Sequence, residues 1–160
     1  MTDKPLMNGH SAPNFSLANQ DERLISLSEH HGRYVVLYFY PKDDTPGCTT
    51  EAKDFTSRID EFRKAGAEVI GVSPDSTQSH LRFCIRHDLK LNLLTDPDHK
   101  ICDAYGVWQM KEMHGRQYYG VVRSTFLIDP HGKIVGEWRN VRVDGHVEEV
   151  LAQLKGHIVK

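Results

Sequence analysis

The sequence predicts an α/β domain with a mixed central β-sheet flanked by helices on both faces, and three observations carry that reading. Residues 34–40, Tyr-Val-Val-Leu-Tyr-Phe-Tyr, form an unbroken aromatic and β-branched run that suits a strand buried on both sides. The hydrophobic period then turns helical from Cys48 onward. Further along, the segments follow a strand–helix–strand start and a strand–strand–helix end, which together demand a mixed sheet. The chain has 160 residues. A folded chain of that size hides roughly 70% of its extended surface, so one domain spanning 1–160 with its own core is expected.

The elements follow in order. Residues 23–27 alternate weakly and read as an outer strand. After the buried 34–40 run, Pro41 to Gly47 breaks the pattern. Ala52, Phe55, Ile59 and Phe62 then mark one face of a long helix that Gly66 ends. Residues 68–72 read as the next strand. Asp75 is the expected cap of a helix through Leu89, with Gln78 three residues on. Asp96 and Pro97 look like the cap and first turn of a short helix reaching Tyr105 and Gly106. Residues 121–128 form a strand, 129–132 a turn, and 133–139 its hairpin partner. Val147, Val150, Leu151 and Leu154 give a last amphipathic helix. These are the parts of a thioredoxin-like fold with an N-terminal extension and an addition in the middle.

Composition narrows the function. Hydrophobic residues make up 39% and charged ones 26%, an ordinary globular balance. Twenty Lys and Arg against twenty-two Asp and Glu leave a net charge of −2, so no basic nucleic-acid footprint is visible. No apolar run approaches the ~20 residues of a membrane span. Residues 1–10 lack a signal-peptide pattern, which makes the cytoplasm the expected compartment. Three cysteines, an odd number without a C-x-x-C pair, argue against both a disulfide scaffold and a simple dithiol motif.

The segment Pro41-Lys-Asp-Asp-Thr-Pro-Gly-Cys48 joins the buried strand to the long helix. With Thr45 as N-cap, Pro46 takes the first helical position and Cys48 the third. Free backbone N–H groups and the positive helix end there favour a thiolate, which is the nucleophilic form. The bland alternative is a small residue at a helix start.

The run Phe39-Tyr-Pro-Lys-Asp-Asp-Thr-Pro-Gly-Cys-Thr-Thr-Glu-Ala52 resembles the active-site segment of peroxiredoxins, matching their P-x-x-x-T/S-x-x-C pattern at Pro41, Thr45 and Cys48. The T-P-G-C-T wording and the later Asp-Pro-Asp-His-Lys-Ile-Cys-Asp-Ala-Tyr-Gly-Val-Trp108 resemble the bacterioferritin-comigratory, or peroxiredoxin Q, branch. The resemblance implies a thiol peroxidase for hydrogen peroxide and organic hydroperoxides, with no cofactor and no metal. Cys48 would attack the O–O bond and become a sulfenic acid. Thr45 would bind the peroxide and thiolate, and Pro41 would shield the site. Arg123, in Val-Val-Arg-Ser-Thr-Phe126 on a later strand, would stabilise the developing charge.

Many relatives of this branch carry a second cysteine five residues after the first, where this chain has Lys53. The resemblance then points to Cys84 as the resolving cysteine, on the following helix. Leu81, Cys84 and Ile85 share one face of that helix, so Cys84 is expected to start partly buried. A core role is the alternative for Cys84, and packing is the expected role of Cys102. The resemblance further implies a monomer whose Cys48–Cys84 disulfide is reduced by thioredoxin or a glutaredoxin-type donor. Two rivals stand beside it. One is a zinc module built from Cys84 with His87 and His99 with Cys102. The other is a non-catalytic thioredoxin-like interaction domain.

Overall fold

The computed structural model describes residues 8–158; the stretch read above for a leader lies outside that range up to residue 7. Five strands form the central sheet: β3 (Tyr34–Phe39), β4 (Ala67–Ser73), β5 (Asn92–Thr95), β8 (Ser124–Ile128) and β9 (Ile134–Arg139). Their order is β5-β4-β3-β8-β9. The β3–β4 and β4–β5 pairs are parallel, while β8 runs antiparallel to both β3 and β9. Parallel neighbours need crossovers. The first is supplied by α1 (Pro46–Ser57) and α2 (Ile59–Lys64), the second by α3 (Thr77–His87). Two shorter pairs lie outside this sheet: β1 (Ser16–Ala18) with β2 (Leu24–Ser26), and β6 (Trp108–Met113) with β7 (Arg116–Val121).

Because successive residues of β3 point to opposite faces, this strand serves two cores at once. Val36, Tyr38 and Tyr40 face a cluster that holds Cys48, Phe55 and Phe62, Phe83 and Cys84, and Val147, Val150 and Leu154 of α5 (His146–Ile158). Val35, Leu37 and Phe39 face the other, with Phe15, Leu27, Tyr105, and Cys102 of α4 (Lys100–Ala104). Helices therefore cover both faces, as the buried run requires.

The differences from expectation are local and physical. The helix after Cys48 bends at Arg58 (φ −110°, ψ 8°), giving α1 and α2, while its apolar face Ala52, Phe55, Ile59 and Phe62 stays buried through the bend. Ser76, not Asp75, caps α3 by accepting from the Ser79 N–H. The Asp75 carboxylate is drawn away by the Asp43 N–H and the Ser73 hydroxyl. Asp96 does cap α4, but from further upstream, taking the Ile101 and Cys102 N–H groups while His99 holds the N-cap position. Leu81 and Ile85 are exposed, and the buried face of α3 is His80, Phe83 and Cys84. Strands β1, β5, β6 and β7 were not expected. The first two are short, and the β6–β7 turn is made by His114 and Gly115, both with positive φ, a hairpin signal that only glycine announces in sequence.

Gly71 on β4 is required by the packing over β3. A Cβ there would come within 2.9 Å of both the Tyr38 ring and Leu93. Gly71→Ala is expected to cost about 1–3 kcal/mol of unfolding free energy in urea titration; an unchanged midpoint would show that the β3–β4 contact is loose.

Candidate active site

Thr45 has extended backbone angles and stands at the N-cap of α1, with Pro46, Gly47 and Cys48 as its first three residues. Pro46 brings a φ already suited to a helix and removes one of the unpaired N–H groups. Cys48 is 2% exposed, with its sulphur at the positive end of α1. The Thr45 hydroxyl donates to the Lys42 carbonyl at 2.9 Å, which folds the loop after the half-buried Pro41 into a tight turn.

Arg123 completes the site. Its Nη2 lies 3.5 Å from the Cys48 sulphur, and its Nη1 donates to Glu51 Oε1 at 2.7 Å. The expectation of a strand arginine needs correction. Residue 123 falls in the link between β7 and β8, where its carbonyl accepts from the Val141 N–H. Leaving the ladder lets the side chain cross the start of α1. It does so over Gly47, where a Cβ would sit only 3.1 Å from Nη2. Gly47 is thus needed for the close approach of the cation, not for a turn.

Sequence reasoning assigned no role to two further residues here. Glu51 is fully buried on the same face of α1 as Cys48, Ala52 and Phe55. A carboxylate on that apolar face is the signal that marks it. Burial pushes its pKa up to about 7, against the opposing pull of Arg123. Only Oε1 is paired, while Oε2 is buried with no hydrogen-bond partner among the described residues, so desolvation outweighs the ion pair. Lys111 on β6 lies in a stretch the sequence reading left unassigned. It donates to the Val121 carbonyl at 2.8 Å, and its pKa is lowered by burial and then by the Arg123 charge, with Cys48 acting the other way. It is a second cation in the field of Cys48.

The sheet separates the other two cysteines. Cys84 shares the cluster of Cys48, whereas Cys102 lies in the cluster on the opposite face. Burial first, then Asp43 and Asp21, pushes the Cys84 thiol up to about 12, so it is held protonated. Burial and Asp96 push the Cys102 thiol up as well. The four ligands of the zinc alternative do not converge, because Cys84 and Cys102 are on different faces, His87 pairs with Asp44, and His99 stacks on Trp108 at 4.0 Å.

A profile described as the AhpC/TSA family matches residues 8–136. The chain belongs to that family. It is similar to Peroxiredoxin Bcp of Bacillus subtilis, with 48% identity over 147 residues covering 92% of this chain and 94% of the relative. Peroxiredoxin Bcp of Xanthomonas campestris is 49% identical over 132 residues, 82% of each. Among solved structures, Xanthomonas campestris peroxiredoxin Q superposes with a TM-score of 0.86 at 46% identity, over 90% of this chain and 91% of that one. A mutant of Xylella fastidiosa PrxQ superposes with a TM-score of 0.91 at 40% identity, over 96% and 99%. The fold is the thioredoxin-like fold of peroxiredoxins, and the enzyme is a thiol peroxidase that consumes peroxide and needs a reductant.

The buried carboxyl makes stability depend on pH with a definite sign. Glu51 has its folded pKa raised from 4.5 to about 7, so the stability it contributes is present below pH 4.5 and lost as pH rises through 7. His146 has its folded pKa lowered from 6.5 to about 4 by burial, and its contribution is lost as pH falls from 6.5 through 4. Glu51→Gln removes only the first effect. Urea unfolding of both proteins between pH 4.5 and 7 should show the wild type losing stability relative to the variant as pH rises; parallel curves would mean Glu51 is not buried as described.

Proposed function

We propose that Cys48 is the peroxidatic cysteine of an enzyme that reduces hydrogen peroxide and organic hydroperoxides. The observation that carries this reading is the Arg123 guanidinium 3.5 Å from the Cys48 sulphur at the first turn of α1. The thiolate sulphur attacks one oxygen of the O–O bond, that bond breaks, and the sulphur becomes a sulfenic acid. The other oxygen leaves with both bonding electrons and takes a proton, giving water or an alcohol. Arg123 and the helix end favour the anion before attack and stabilise the departing oxygen after it. Thr45 hydrogen-bonds the incoming peroxide, and Pro41 keeps water from the loop. Bacterioferritin comigratory protein of Xanthomonas campestris has alkyl peroxide reduction activity, in keeping with this substrate class.

Cys84 is the resolving cysteine in this proposal. Its thiol condenses with the Cys48 sulfenic acid, forming the disulfide and releasing water. Its place on the same face of the sheet as Cys48 supports it over Cys102. A disulfide needs Cα atoms within about 7 Å, and a buried protonated thiol must first be uncovered, so α3 opens locally. Thioredoxin or a glutaredoxin-type dithiol then takes the disulfide back to two thiols. The chain acts as one domain and as a monomer in the cytoplasm.

Arg123→Ala should slow peroxide attack by about 10²–10³-fold. It is best measured in a Glu51→Gln background, so that no buried carboxylate is left without its partner. A near-normal rate of thiol loss in that folded protein would remove Arg123 from the site.

Peptide mapping after one equivalent of peroxide should find Cys48 joined to Cys84 and Cys102 free. Cys84→Ser should keep the first attack, lose turnover with thioredoxin, and accumulate sulfinic acid at Cys48. A Cys48–Cys102 bridge, or full turnover without Cys84, would overturn the resolving role; an unreactive Cys48 would favour the interaction-domain alternative.

A further inference from the structure

The turn that leads into Cys48 carries two adjacent carboxylates, and both reach across to α3. Asp43 is buried. Its Oδ1 accepts from the Tyr40 hydroxyl at 2.6 Å, and its Oδ2 accepts from the Ser79 hydroxyl at 2.8 Å and faces His80 Nδ1 at 2.7 Å. The other nitrogen of His80 is tied to the Leu94 carbonyl at 2.9 Å, so the ring is pinned at both ends. Asp44 has a left-handed backbone (φ 62°) and takes the other end of the helix, with Oδ1 2.8 Å from His87 Nε2 and Oδ2 2.9 Å from Arg86 Nη1.

Cys84 lies between these two grips. It follows His80 by one turn and precedes Arg86 by two residues. The grips differ in strength for a physical reason. The Asp43–His80 pair is shut away from water, with side chains 3% and 0% exposed, whereas Arg86, Asp44 and His87 are 66%, 35% and 20% exposed. An exposed pair contributes little and exchanges readily with water; removing one partner of a buried pair is far more costly. The outer face of α3 adds little hold, since Ile85 is 72% exposed.

We infer that Asp43 and Asp44 form a clasp between the peroxide-reactive loop and α3, in which the Asp43 contacts are a fixed hinge and the Asp44 contacts a catch whose release sets the rate at which Cys84 reaches Cys48. The inference rests on the reading of Cys84 as the resolving cysteine. Arg86 and His87 are then positioning residues: they touch neither peroxide nor either sulphur, and act by holding the helix that carries one of them. The step they govern joins the Cys48 and Cys84 sulphurs, with the sulfenic oxygen and the Cys84 proton leaving in the released water. While the catch is closed, the sulfenic acid stays exposed to a second peroxide, which drives it to the sulfinic form. Closing the catch thus trades speed of resolution for sensitivity to excess peroxide.

The test is a single-turnover measurement on the full chain, following thiol loss and disulfide formation separately by rapid quench, alkylation and intact mass. Arg86→Ala should speed disulfide formation about two- to fivefold, the range expected for releasing one exposed pair, and His87→Gln, at a side chain only 20% exposed, should speed it as well. Their double variant should be faster still, and the rate of peroxide attack should be unchanged. Sulfinic acid at a given peroxide excess should fall in the same proportion. Arg86→Lys, which keeps the cation, should return the rate to within about twofold of wild type. Hydrogen exchange should show weaker protection of α3 in the double variant and none of that loss in β3 or β4. Disulfide formation that is unchanged or slower in the folded double variant overturns the clasp alone. Absence of a Cys48–Cys84 bond in the wild type overturns the resolving reading and the clasp with it.

Discussion

The guanidinium of Arg123 is held by two partners at once, the Cys48 sulphur and the buried Glu51 carboxyl, and much of the molecule is arranged to allow it. A cation in this position must leave its own strand, cross a helix start and be only partly desolvated. The link between β7 and β8 supplies the first condition, Gly47 the second, and the mouth of the site, where the Arg123 side chain keeps 17% exposure, the third. The carboxyl is the costly member, since burial favours its neutral form and the arginine only partly offsets that preference. The ion pair is better understood as a means of aiming the fork than as a source of stability. Lys111 adds positive field from the β6–β7 hairpin without competing for the sulphur.

The proposed roles of Cys48 and Cys84 ask for a rigid base under one and a helix that can open under the other. The base is β3, buried on both faces, with β4 and β8 hydrogen-bonded on either side and aromatic rings stacked beneath the site, including Tyr38 on Phe55 at 4.7 Å. The helix that would have to open is α3. It packs inward through His80, Phe83 and Cys84 but offers exposed apolar side chains on its outer face. Its outer face, with Leu81 and Ile85 in water, adds little to that packing. The same burial that keeps the Cys84 thiol protonated also shields it from solvent.

The two remaining cysteines show why chain order is a poor guide to pairing. Cys84 and Cys102 are separated by a short strand and a turn, yet β5 carries the chain past the edge of the sheet and α4 returns on the opposite side. With the sheet between them, Cys84 and Cys102 cannot bring their Cα atoms within the ~7 Å a disulfide needs unless the sheet is rearranged. The separation also dissolves the two Cys/His pairs that short spacing alone made plausible as a metal module.

What the sequence determined by itself was short-range. The buried β3 run, the Thr45-Pro46-Gly47-Cys48 helix start, the apolar face of α1 and α2, and the peroxiredoxin motif are all encoded within a few neighbouring residues, where side-chain period and capping chemistry act directly. The tertiary structure decided what depends on residues distant in the chain. Arg123 could be named from its motif, but its departure from the strand and its hold on Glu51 follow from how β7 meets β8. The hairpin of β6 and β7, whose turn uses a left-handed histidine, gives no strong local signal. Leu81 and Ile85 suggest the wrong buried face for α3, because the buried, fully bonded His80 and not a larger apolar residue defines it. A polar residue whose partners are supplied by another loop is indistinguishable in sequence from a solvated one, and only the folded chain brings Asp43 to it.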